Sequence, residues 1–161
     1  MKTAKFITKL FTRDFNNYDG VLPIQVYMLR MVFTLTFVFI GMISWTTIIN
    51  HDGEWKPINA VAFSVWAAYS TLSFLGILKP LKMLPIIVFQ VFYKIVWLTI
   101  VAYPLWASGK LSGSDAEQMT KDFMWVVLPV VAMPWGYFFR GFFGNLNFKK
   151  HIKNNVFSQR I

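Results

Sequence analysis

The run Met83–Ala107, MLPIIVFQVFYKIVWLTIVAYPLWA, constrains this chain more than any other stretch. It has 25 residues and one charge, Lys94. As an α-helix it measures roughly 37 Å, enough to cross a hydrocarbon layer of ~30 Å with some tilt. Pro85 falls in the first turn, where a missing N–H costs little. Lys94 falls about 16 Å along the axis from Met83, close to the middle of the layer. A lysine at that depth costs ~2.5–3.5 kcal/mol on insertion scales, so some group must accept its protons there. Gln90 is one turn earlier on the same face, which reads Met83, Ile87, Gln90, Lys94, Trp97, Val101. The opposite face is Val88, Phe89, Phe92, Ile95, Val96 and Thr99, free for lipid or a neighbouring helix.

Three further apolar runs accompany it. Residues 23–50 hold an uncharged stretch, Met31–Ile49, with Arg30 just before it. The long Arg30 side chain is placed to snorkel toward phosphates. Residues 57–78 open on Pro57 and carry a stripe of small residues, Ala60, Ser64, Ala67, Ala68 and Thr71, that suits close helix packing. The run also places Trp66, Tyr69, Ser70 and Ser73 inside the layer. Residues 123–139 are the shortest run, and Pro129 and Pro134 predict a kink. The carbonyls four residues before each proline lose their helical donor and become candidate partners for Lys94. The link Lys79–Lys82 is so short that the second and third spans are predicted to be antiparallel neighbours.

A soluble domain of 161 residues could not hide this composition, which is 56% hydrophobic with 17 phenylalanines and only 14% charged. The charges sit outside the runs. Residues 1–20 read as an amphipathic helix in a headgroup layer, with Lys5, Lys9 and Arg13 among its cations. Residues 140–161 read as a basic interfacial tail carrying Arg140, Lys149 and Lys150. The two ends and the 79–82 link together hold 11 of the 16 Lys and Arg, whereas the loops after the first and third spans hold three. Those two loops hold five of the seven acids. Four spans with both termini cytoplasmic satisfy the positive-inside rule at every segment. The net charge of +9 therefore reflects an anionic inner leaflet rather than nucleic acid, for which no binding motif appears.

Catalytic sets are hard to assemble from these residues. There is no cysteine, so thiol chemistry and cysteine metal sites are excluded. His51 and His151 fall outside the runs, which argues against a buried nucleophile–His–acid set and against haem. His51, Asp52 and Glu54 share one loop without a distant partner, too little for a metal site. No acid lies inside any run, so a relay of paired acids has no support. Lys94 is then left with three accounts. It hydrogen-bonds locally to Gln90, Tyr69, Ser70 or a proline-freed carbonyl. It pairs with an acid on another subunit. It draws an anionic ligand, a lipid head or a quinone oxygen into a wet cavity.

The runs SVWAAYSTLSFLGILKPLKMLPIIVFQVFYKIVWLTIVAYPLW and EQMTKDFMWVVLPVVAMPW resemble those of small four-span bacterial membrane proteins. In span count and size the chain is similar to DoxX-like membrane proteins, some of which are linked to quinone-coupled oxidation. The resemblance implies a four-helix bundle of a bacterial inner membrane and transfers no residue role.

The sequence thus predicts an all-α polytopic membrane protein of one domain, a four-helix bundle with interfacial ends. Its expected role is non-enzymatic, binding a partner subunit or assembling with itself through a polar patch of Lys94, Gln90, Tyr69 and Ser70. The alternatives are a carrier or binding site for a small anionic or amphiphilic molecule, and a membrane subunit of a quinone-linked redox system. No resident cofactor or metal is expected.

Overall fold

Proline and glycine set the boundaries of the helices. The computed structural model describes residues 10–141. Lys5, Lys9, Lys149 and Lys150, with residues 1–9 of the first predicted interfacial segment and residues 142–161 of the last, lie outside the described residues. Pro23 opens α1 (Pro23–Ile49), Pro57 opens α2 (Pro57–Leu78), and Pro85 sits in the first turn of α3 (Leu84–Ala107). These three are long and apolar enough to cross a bilayer. Two shorter helices follow, α4 (Ala116–Met124) and α5 (Val127–Ala132), and then α6 (Trp135–Gly141), bent by 70° from them. Taken as one broken span, these last elements make a fourth. Among the described residues the protein is mostly helical, without strands.

The chain enters α1 differently from the expected helix over residues 1–20. Residues 12–21 form a turn closed by an antiparallel bridge between Asp14 and Val21. The cause is Asp14. One carboxylate oxygen accepts the amides of Asn16 and Asn17, and the other accepts the Asn17 side chain. Such local bonds compete with helix. Asp19 and Gly20 then take positive φ, and Phe15 packs so tightly on Gly20 that a Cβ there would touch its ring.

Helices α1 and α2 run antiparallel and touch along their length. Phe33 lies on Gly76, where any Cβ would collide with the ring. Phe37 meets Phe74 at 5.6 Å between ring centroids, and the Trp45 indole donates to the Thr71 hydroxyl at 3.1 Å. The buried small residues of α2 are Ala67, Ser70, Ser73 and Gly76. This stripe is rotated from the expected one. Ser64, Ala68 and Thr71 are exposed, because Gly76 and Ser73 admit the bulky Phe33 face of α1 more closely.

The core joins α1, α3 and the broken span through Leu29, Val32, Phe33, Leu84, Ile87, Val91, Val126, Ala132 and Met133. The kink falls at Pro134 rather than at Pro129. Met133 adopts an extended conformation (φ −68°, ψ 122°), as a residue before proline prefers. Pro129 sits in the first turn of α5, where its missing N–H is harmless. Tyr137 donates to the Asp19 carboxylate at 3.4 Å, which places α6 at the same end of the bundle as the entry to α1.

Candidate functional site

Lys94 projects from the inner face of α3. Ile87, Gln90, Val91 and Lys94 are buried, while Phe89, Phe92, Ile95, Val96 and Thr99 are exposed. Lys94 keeps only 7% of its surface accessible. Neither a hydrogen bond nor an ion pair within 4 Å reaches its ammonium from any described residue.

Each local partner expected for it is engaged elsewhere. Gln90 Oε1 accepts the Thr36 hydroxyl at 3.4 Å. The Tyr69 and Tyr93 hydroxyls bond each other at 3.1 Å. Ser70 donates to the carbonyl of Ala67 and Ser73 to that of Tyr69, as hydroxyls inside helices commonly do. The proline-freed carbonyls are also used. Pro134 cannot donate to Val130, and the Trp135 indole donates there instead at 3.0 Å. The carbonyl of Trp125, four residues before Pro129, accepts the Leu128 amide at 3.1 Å. The other members of the polar patch therefore bond neighbouring side chains or their own backbone, and none of them bonds the cation.

What Lys94 does face was not foreseen. The Phe123 ring, at the end of α4, lies 5.7 Å from Nζ, within cation–π range. Asp122, one residue earlier, is the carboxylate whose charge acts on the ammonium. Its side chain is exposed and accepts from Gln118 at 3.1 Å. A run-based reading puts Asp122 in a loop. In the structure α4 begins at Ala116 and carries Asp122 and Phe123 over α3. Glu117 anchors that helix by accepting from Lys121 and from the Gly113 amide.

A groove of about 680 Å³ lies between the first half of α2, the second half of α3 and α4, with Phe123, the ring over Lys94, as one wall and Lys94 itself behind it. Its walls include Phe63, Trp66, Phe92, Tyr93, Trp97 and Phe123, and Asn59 stands on the first turn of α2 at one end. Tyr93 and Trp97 pack edge-on against Phe123, at 5.6 and 4.9 Å between centroids. A ladder of rings, His51 on Trp55, Trp55 on Phe63 and Phe63 on Trp66, runs from the α1–α2 loop into the groove. The helix α3 widens to a π-helical turn at Leu98–Ala102, directly after Trp97 and against α4. A second such turn, Thr36–Ile40, begins at the residue that bonds Gln90. Turns of this kind recur at functional sites. The aromatic walls were legible as helical spacing only once the pairing of α2 with α3 was known.

The expected anchoring residues are placed as follows. Arg13 and Arg140 are exposed, and Arg140 Nε donates to the carbonyl of Gly136. Arg30 is half-buried on α1, with a buried Nε that makes no hydrogen bond. His51 stacks on Trp55, and the described residues hold no group of three His, Asp or Glu side chains fit for a metal.

No protein-family model, curated protein or solved structure matches the chain.

Proposed function

We propose that this is a four-span protein of a bacterial cytoplasmic membrane, both termini inside, that binds a small amphiphile between its aromatic groove and Lys94. The observation that carries this reading is a cation buried within its own chain, left without a hydrogen bond by the described residues, beside a groove of ligand size. Binding pockets for small molecules span ~300–1,000 Å³ and are mostly apolar with a few polar groups, and this groove fits that description. A buried charge persists where a partner offsets its desolvation. Phe123 and Asp122 offset it in part, and a ligand oxygen completes the set. Assembly through Lys94 is the less favoured reading, since a residue 7% exposed presents little to another subunit. No bond-making step is assigned to the site.

The orientation follows the charges. Lys79 and Lys82 link α2 to α3 at the end where Asp19 meets Tyr137, and the acid-bearing loops lie at the other end. The groove would then open in the outer half of the bilayer.

Native mass spectrometry of protein taken from membranes in gentle detergent tests the reading. The wild-type chain should carry a stoichiometric small adduct. Lys94→Met and the groove-filling Ala62→Trp should each lose most of it while remaining folded by thermal melt. A wild-type chain without adduct, or adduct retained in both variants, contradicts it.

A further inference from the structure

Lys94, the Tyr69–Tyr93 pair and two indoles each leave a donor unengaged around the groove. Lys94 offers three N–H bonds. The Tyr69–Tyr93 pair holds two O–H donors and one mutual bond, so one proton is left. Tyr69 is only 5% exposed, and leaving its proton unpaired would cost more than letting it donate to Tyr93. The spare donor is then the Tyr93 hydroxyl, and Tyr93 lines the groove. The indoles of Trp66 and Trp97 line it too and make no hydrogen bond to any described residue. The acceptor oxygens of the wall are the exposed Asn59 amide and the Tyr93 hydroxyl, which already accepts from Tyr69.

From this inventory we infer that the site selects a single-chain amphiphile with an acceptor-only, monoanionic head, a long-chain carboxylate. This rests on the amphiphile reading above and names the ligand class. A carboxylate accepts several bonds and donates none, so it can take the Lys94 ammonium and the Tyr93 hydroxyl together. An alcohol can accept from the same donors but brings no charge to offset that of Lys94. An amine brings a like charge. A phosphate monoester brings a second negative charge against a single ammonium. The volume suits one hydrocarbon chain laid among the rings. Phe123 belongs to both halves of the site, as a groove wall and as the ring over Nζ, so it is the side chain a head group displaces to reach the ammonium.

The groove tryptophans supply the readout. Dibromostearate added to the purified full chain in dodecyl maltoside should quench part of the tryptophan emission, and the double variant Trp66→Phe/Trp97→Phe should lose that part. Palmitate should compete at least tenfold better than hexadecanol, and hexadecylamine should not compete. Lys94→Met should weaken palmitate at least tenfold and erase its advantage over the alcohol. Tyr93→Phe should weaken it severalfold. Palmitate, alcohol and amine competing equally would overturn the head-group inference while leaving the groove as an amphiphile site. Quenching that neither saturates nor depends on Trp66 and Trp97 would overturn both.

Discussion

At the scale of single residues, two positions carry most of the physical content. Gly76 is held to glycine by the Phe33 ring pressed on its Cα. Gly76→Val should destabilise the protein by ~1–3 kcal/mol, the usual cost of overpacking a tight contact, as a lower melting temperature in detergent. Phe123 is the second. Phe123→Ala removes the ring over Lys94 and opens the groove toward it. Stopped-flow quenching by dibromostearate should accelerate severalfold in this variant, and an unchanged rate would remove Phe123 from the entry path. Lys94 itself was legible in the sequence as the charge that needs an explanation, because one cation in 25 residues stands out. Its surroundings were not. Gln90 shares its face by helical spacing, and Tyr69 and Ser70 were expected from the neighbouring span, yet each bonds Thr36, Tyr93 or its own backbone instead.

The helices differ in how plainly the sequence marks them. Length and hydropathy locate α1, α2 and α3 to within a residue or two, since a bilayer demands long uninterrupted apolar runs and proline marks their starts. The expected fourth span is harder because the stretch folds as three helices. Its first, α4, is polar on one side and reads as loop until Met119 and Phe123 are seen packed into the groove wall. Its two prolines look equivalent in the sequence. They differ because Pro129 falls at a helix start, where no donor is missed, and Pro134 falls at a helix end. The 70° bend leaves the Val130 carbonyl without a backbone donor, and Trp135 supplies one. Trp135→Phe should therefore cost ~1–3 kcal/mol by exposing that carbonyl's loss, more than a Trp→Phe change at exposed Trp106, with thermal melts as the comparison.

At the scale of the whole molecule, the proposed orientation implies an even number of crossings, and the tie between Tyr137 and Asp19 puts α6 and the entry to α1 at one end. The absence of native cysteine makes this easy to check. In spheroplasts, Asp52→Cys and Ser112→Cys should react with an impermeant maleimide, and Lys82→Cys should react only after the membrane is opened. The reverse pattern would invert the orientation and move the groove to the inner leaflet.

The central claim is that the Lys94 ammonium meets a ligand carboxylate inside the bundle. Rotational-echo solid-state NMR on protein with ¹⁵Nζ-lysine, reconstituted with palmitate labelled at its carboxyl carbon, measures that contact. The account predicts dephasing that corresponds to an N···C distance of roughly 3.5 Å, a charge-assisted N–H···O contact of ~2.8 Å extended by the C–O bond, and its disappearance in Lys94→Met. Equal dephasing in wild type and variant, or none in either, would contradict it.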